Sequence, residues 1–312
     1  MQSSSSRLTR PAVVAALATL SCLLWGSAIP FINLGYRHFA IDSGDTPSLI
    51  LFAGCRFALA GLLTILISSL QRRRLLVPQG PSGWGCAARL AAVQTIGQYV
   101  FFYIGVAHTP SMNASLIQGL GPFVSILVAA WVFRSEKMTA VKWLGGLLGI
   151  VGVLLVNWKP GGSVSFSLTG EGFLLISMIT SACSSGMIKN YGQRNDPVTL
   201  SGWQFLMGGT LMALAGLLMG GRLQPDGMAA AGILIYLAFL SAIAYSVWAL
   251  LLKVNPVSRI ASYILLQPVF GTALALLLFG QETTLPLWRY LLALLFICGG
   301  ILLEERSSGR ET

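Results

Sequence analysis

Residues 110–136, PSMNASLIQGLGPFVSILVAAWVFRSE, are nearly repeated at 256–282, PVSRIASYILLQPVFGTALALLLFGQE. A gapless shift of 146 residues superposes Tyr99 on Tyr245, Pro110 on Pro256, Pro122 on Pro268, Phe133 on Phe279 and Glu136 on Glu282. Apolar composition alone does not bring two prolines, a tyrosine and a glutamate into register. Weaker echoes accompany them: INLGYR at 32–37 against KNYGQR at 189–194, and Arg56-Phe57 against Gln204-Phe205. The chain carries an internal repeat, and a doubled apolar module points to a membrane carrier.

Composition decides that the repeat lies in a bilayer. Only 10% of the 312 residues are charged, against about 25% in soluble domains. Stretches of roughly 20 apolar residues, enough to span, recur along the whole length. Ten spans are expected, at 12–34, 47–69, 87–107, 111–133, 140–157, 171–190, 198–219, 229–252, 258–279 and 287–303. The basic start and apolar run after it resemble a signal sequence. The run continues past Trp25 to Asn33 with no small-residue cleavage site, and reads as the first span. The cysteines (Cys22, Cys55, Cys86, Cys183 and Cys298) have no paired spacing and read as small buried hydrophobes.

A net charge of +10 would suggest a nucleic-acid partner in a soluble protein. Here the basic residues sit between spans, so no nucleic acid is implied. Arg7, Arg10, Arg72, Arg73, Arg74, Arg89, Arg134, Lys137, Lys142, Lys189, Arg194, Lys253, Arg259, Arg306 and Arg310 fall on the side of the termini. The other side has Arg37, Lys159, Arg222 and Arg289. This bias places both termini in the cytoplasm of a multi-pass protein of the cell (inner) membrane. Five spans per half is an odd number, so the second half enters from the opposite side and the repeat is inverted. The expected fold is all-α: ten transmembrane helices as two inverted five-helix repeats, 1–157 and 171–312, joined by a Gly/Ser-rich loop at 158–170.

LLWGSAIPFIN after a basic start, CRFALAGLL in the second span and the doubled proline-containing spans resemble the drug/metabolite transporter superfamily, EamA-type. The likeness covers essentially the whole chain. It implies a ten-helix bundle with a central solute cavity, and efflux or exchange of small metabolites, often amino acids.

Polar and aromatic residues at mid-depth are the candidate cavity wall: Trp25, Ser27, Gln98, Tyr99, Tyr103, Gln118, Ser184, Trp203, Gln204, Tyr245, Trp248, Tyr263 and Gln267, with Gln94, Asn113 and Ser181 nearby. Several pairs fall at helical spacing, among them Gln94–Gln98, Tyr99–Tyr103 and Tyr263–Gln267. The competing reading of each Trp or Tyr is an interface anchor or ordinary packing. Arg56 is the charged residue well inside a span. It either takes a substrate carboxylate in its fork or has a structural role, bonding helix-end carbonyls or pairing with Glu171. Pro122 and Pro268 remove a backbone hydrogen bond in mid-helix and are expected to kink their spans, as hinges or as static bends. Gly145-x-x-x-Gly149 and Gly299-Gly300 fit close helix packing.

No Asp or Glu lies deep in a span, and His38 and His108 belong near the outer surface. A buried carboxylate or histidine proton relay has no obvious member, and no metal site or cofactor is implied. An intramembrane enzyme fails for lack of HExxH, of paired intramembrane aspartates and of a mid-span His to activate Ser184 or Cys183. A channel or non-transporting sensor is the remaining alternative. With no Walker A motif an ATP-driven pump is disfavoured, so the expected partners are a small-molecule substrate and the lipid bilayer. Substrate identity, direction, coupling ion and oligomeric state have no signature in the sequence.

Overall fold

The computed structural model describes residues 8–132, 138–158, 166–192, 194–254, 262–279 and 286–308. Phe133, Glu136, Pro256 and Glu282 of the repeat lie outside the described residues. So do Arg7, Arg134, Lys137, Lys159, Arg259 and Arg310 of the charge pattern, and most of the 158–170 connection. The described residues form helices and no strand: α1 (Pro11–His38), α2 (Thr46–Arg72), α3 (Gly80–Leu90), α4 (Tyr99–Ala107), α5 (Ser111–Gln118), α6 (Gly121–Trp131), α7 (Ala140–Asn157), α8 (Phe173–Tyr191), α9 (Pro197–Leu218), α10 (Met228–Val254), α11 (Leu266–Phe279) and α12 (Leu287–Ser308). Among the described residues, seven segments are long and apolar enough to cross a membrane, and 140–155, 266–279 and 287–303 are shorter apolar helices.

The outward faces show why water is not the solvent. On α7, Val141, Leu144, Leu147, Ile150, Val151 and Leu154 all stand exposed, at the spacing that makes one helical stripe. In a soluble protein such a stripe would turn inward; here it faces hydrocarbon. Inside, the helices pair closely. α2 lies along α9 and α7 along α12, while α1 packs on α10 and α11, and α8 on α4 and α6. Small residues permit this. A Cβ on Gly54 or Gly61 of α2 would run into the backbone at Ala213 or Leu206 of α9, and one on Gly209 into that at Ala58. Gly300 of α12 meets the backbone at Gly145 and Gly149 of α7 in the same way, as the glycine spacing predicts. Without a hydrophobic drive between helices in lipid, such backbone contact is a main source of association.

The prolines correct an expectation. Pro122 does not kink a continuous helix; it is in the first turn of α6, after a break. Gly119 and Leu120 donate their N–H groups to Leu116 and Ile117 (both 2.9 Å), a tight turn that ends α5. Pro122 has no N–H to give Gln118, and in a first turn that loss costs nothing. Pro268 likewise occupies the first turn of α11, behind the 3₁₀ turn Ser262–Leu265. Pro30, by contrast, sits inside the continuous helix α1.

A second departure is the third span. Its helix starts at Gly80, so the connection after α2 is only 73–79, and Ala91–Gln98 forms a π-helical segment between α3 and α4. π segments are rare and concentrate at functional places.

Candidate solute site at the centre of the bundle

Tyr99 opens α4, directly after the π segment, and Tyr245 lies on α10. Their hydroxyls hydrogen-bond each other. Phe57 of α2 lies against Tyr99 (ring centroids 4.0 Å), Phe205 of α9 against Tyr245 (4.9 Å), and the two phenylalanines against each other (5.4 Å). The echoes seen along the chain, Tyr99 with Tyr245 and Phe57 with Phe205, thus meet in one four-ring cluster. Trp25 of α1 adds an edge to Tyr245 (5.3 Å) and to Trp248 (5.0 Å).

Arg56 and Gln204 occupy corresponding places beside this cluster, and each reaches across to another helix. Arg56, 3% exposed, donates from Nη1 to the Tyr103 hydroxyl (2.6 Å), from Nη2 to Ser241 Oγ (2.9 Å) and from Nε to the Leu237 carbonyl (3.1 Å). Its guanidinium also stands over the Phe57 and Tyr103 rings, at 4.9 and 5.8 Å. An Arg at mid-bilayer costs about 2.5–3.5 kcal/mol on insertion scales. Hydrogen bonds to a charged group contribute about 1.5–3 kcal/mol each, so three of them offset that cost. Gln204 donates from Nε2 to Gln94 Oε1 (2.6 Å), and its main-chain carbonyl accepts from Thr95 Oγ1 (3.2 Å). The π segment supplies both partners.

The suggested Arg56–Glu171 pair is not formed. Glu171 Oε2 accepts from the Ser167 N–H (2.8 Å) in the π turn Leu168–Gly172 that leads into α8, while the partners of Arg56 are neutral.

Other predicted residues spread outward. Ser27 Oγ shares a hydrogen bond with the Tyr236 hydroxyl (2.7 Å), a partner the sequence reading missed. Ser184 is buried, with its hydroxyl given to the Ser181 carbonyl of its own helix (2.8 Å). Tyr263 packs with Trp248 around Val14, Ala18 and Leu251. The Gln267 carbonyl approaches Gly26 where α11 crosses α1. Buried side-chain atoms with no hydrogen-bond partner among the described residues include Trp25 Nε1, Gln98 Oε1, Gln118 Nε2 and Gln204 Oε1.

Trp203 is not at the centre. Its ring lies against Trp84 (4.7 Å) and its Nε1 donates to the Leu76 carbonyl (2.8 Å), at the bundle end where α2 finishes and α9 begins. There Asp196 caps α9, accepting from the Thr199 N–H (3.0 Å) and hydroxyl (2.8 Å) and pairing with Arg72 (3.1 Å). Burial pushes the Asp196 carboxyl up, but these hydrogen bonds outweigh it and hold it below its ordinary value.

The model of the EamA-like transporter family matches this sequence twice, over residues 13–158 and 168–304. The chain belongs to the EamA-like transporter family. It is 27% identical over 282 residues to a Synechocystis protein described as an uncharacterized transporter, covering 85% of this chain and 82% of that one. A probable amino-acid metabolite efflux pump of Salmonella typhimurium is 27% identical over 279 residues, with 86% of this chain and 87% of that one covered. The Escherichia coli protein of the same description is 27% identical over 280 residues. A crystal structure 19% identical in sequence superposes with a TM-score of 0.67, covering 94% of this chain and 96% of that one; it supports the fold. Membership makes this a multi-pass membrane transporter of small molecules, with no enzymatic role implied.

Proposed function

We propose that this EamA-family member is a secondary carrier that moves small polar metabolites, amino acids or related compounds, by alternating access between two inverted five-helix halves, 1–157 and 171–312. Both termini are cytoplasmic in this reading, and the membrane is the cell membrane. The observation that carries it is the Tyr99–Tyr245 hydrogen bond, which joins residues 146 apart at the same position of the two repeats. Helix pairing supports the same symmetry. If α1 corresponds to α8, then α1 on α10 is mirrored by α8 on α4, and α1 on α11 by α8 on α6.

The solute path runs through the aromatic cluster, lined by Trp25, Gln98, Tyr99, Gln118, Gln204, Tyr245 and Trp248. Unmet donors at Trp25 and Gln118, and unmet acceptors at Gln98 and Gln204, suit a solute carrying both acceptor and donor groups, such as a zwitterion. An unpaired polar group in hydrocarbon costs several kcal/mol, so these atoms favour any solute that pairs with them. Arg56 holds α2 to α10 and α4 in this arrangement. Pro122 and Pro268, each behind a helix break, are the hinges. The efflux-pump relatives support amino-acid metabolites as the substrate class.

Counterflow in proteoliposomes loaded with a mixed amino-acid and metabolite pool, read by mass spectrometry, tests this. Selective exchange that Tyr99→Phe and Tyr245→Phe both weaken is expected. Absence of exchange from folded, inserted protein would remove the carrier reading.

A further inference from the structure

The bundle end that holds Trp203 contains a second feature, separate from the central cluster. Between the end of α2, the 73–79 connection and the start of α9 lies a cavity of about 210 Å³, whose lining includes Arg72, Arg74, Gln79, Arg194, Asn195 and Asp196. At about 30 Å³ per water, it has room for a phosphate group with some of its hydration.

Its charge is unbalanced. Three guanidiniums surround one carboxylate, and that carboxylate is already taken by Arg72 and by both donors of Thr199. The side chains of Arg74 and Arg194 have no hydrogen-bond or ion-pair partner among the described residues. The walls are fixed rather than loose. Arg73 turns the chain in a left-handed conformation (φ 50°), and Arg74 N–H donates to the Ser69 carbonyl (3.1 Å). Leu76 is clamped from both sides, its N–H on Ser69 Oγ (3.0 Å) and its carbonyl on Trp203 Nε1 (2.8 Å).

The rim tells what kind of anion fits. Leu75 (68% exposed) and Val77 (44%) line the cavity beside the arginines. A cationic cavity with exposed apolar side chains in its wall matches a molecule that is anionic at one end and hydrocarbon beyond it. A free anion would gain nothing from these two side chains.

We propose that this cavity binds the phosphodiester headgroup of an anionic phospholipid, with Arg74 and Arg194 on the phosphate oxygens and the start of an acyl chain against Leu75 and Val77. Trp203 has a positioning role, holding Leu76 of the 73–79 connection in the cavity wall.

The test is native mass spectrometry of the full-length protein released from phosphatidylcholine nanodiscs doped with phosphatidylglycerol, with thermal unfolding measured alongside. Wild type retains phosphatidylglycerol in preference to phosphatidylcholine. The R74Q/R194Q double variant binds it roughly 30-fold more weakly, about fivefold for each arginine lost near an anionic lipid. R222Q, at the opposite end of α2, leaves it unchanged. R74K/R194K, which keeps the charge, retains most of the binding and serves if the glutamine variant fails to fold. No lipid preference in wild type, or equal loss in R222Q, overturns the site. Stabilisation by inorganic phosphate equal to that by the lipid overturns the lipid assignment and leaves a site for a free anion.

Discussion

Tyr99 and Tyr245 hold each other through their hydroxyls at the middle of the bundle, and each is also packed on a phenylalanine from the helix beside it, Phe57 and Phe205. The contact joins the two repeats. Removing one hydroxyl leaves the other buried and unpaired, at a cost of about 1–3 kcal/mol. Tyr99→Phe and Tyr245→Phe are each expected to lower the melting temperature, and the double variant to lose less than the sum. A thermal double-mutant cycle in one detergent measures this, and strict additivity would show that the bond contributes nothing.

Arg56 is expected to matter for folding before it matters for transport. Arg56→Met abandons Tyr103, Ser241 and the Leu237 carbonyl together, a loss of about 2–4 kcal/mol after the relieved desolvation of the charge. Arg56→Lys keeps the charge but not the fork, and should fall between. Melting curves and the monodisperse fraction on size exclusion order the three proteins. A Met variant as stable as wild type would leave Arg56 without its clamping role.

The α2–α9 seam tolerates no side chain where backbones touch. Gly61→Val drives a branched Cβ into the backbone at Leu206, a clash beyond the usual overpacking cost of about 1–3 kcal/mol. Gly232→Val, at a glycine of α10 with open space around it, should be neutral. Expression as folded protein in membranes compares the two directly.

Pro122→Ala restores an N–H opposite the Gln118 carbonyl and permits α5 and α6 to join into one helix. Melting should shift little, because a first-turn proline gives up no hydrogen bond. Counterflow should slow if the break is a hinge, and Pro268→Ala should act in the same direction. Unchanged rates in both would make the breaks static features of packing.

Asp196 gives a pH signature. Its folded carboxyl is held below the ordinary value of 3.8, so its contribution is complete above that value and lost as pH falls through the lower folded one. Asp196→Asn should flatten the acid side of the stability curve in that window. Asp196→Ala should cost about 1 kcal/mol at neutral pH through the lost cap. Melting temperature followed against pH checks both.

Much of this was legible in the chain. Tyrosines, prolines and an Arg/Gln alternation stand out against an apolar background, and of these corresponding pairs the two tyrosines are found in contact. Depth was harder. Trp203 reads as mid-span when spans are drawn as intervals, yet it lies less than two turns from the start of α9 at Pro197, so it serves the bundle end. The π segment at Ala91–Gln98 has no residue signature at all; two of its residues, Gln94 and Thr95, bond Gln204 of α9. Partner choice was equally hidden. Arg56 and Glu171 are the pair that charge alone suggests, but packing brings Arg56 to hydroxyls and a carbonyl, and local turn geometry uses up the glutamate.

The place where the two repeats differ in charge has a consequence for how a cycle would rest. Arg56 fastens its side with three hydrogen bonds from a cation; Gln204 fastens the other with one hydrogen bond from its side-chain amide to Gln94, beside a Thr95 hydroxyl on its main-chain carbonyl. Both fastenings are made in this structure, so a conformational change in either half has to break the one that holds it. In the proposed cycle, two unequal latches on a near-symmetric frame would make the two faces unequally populated even with no solute and no gradient, and the direction in which the empty protein waits would be set by one arginine.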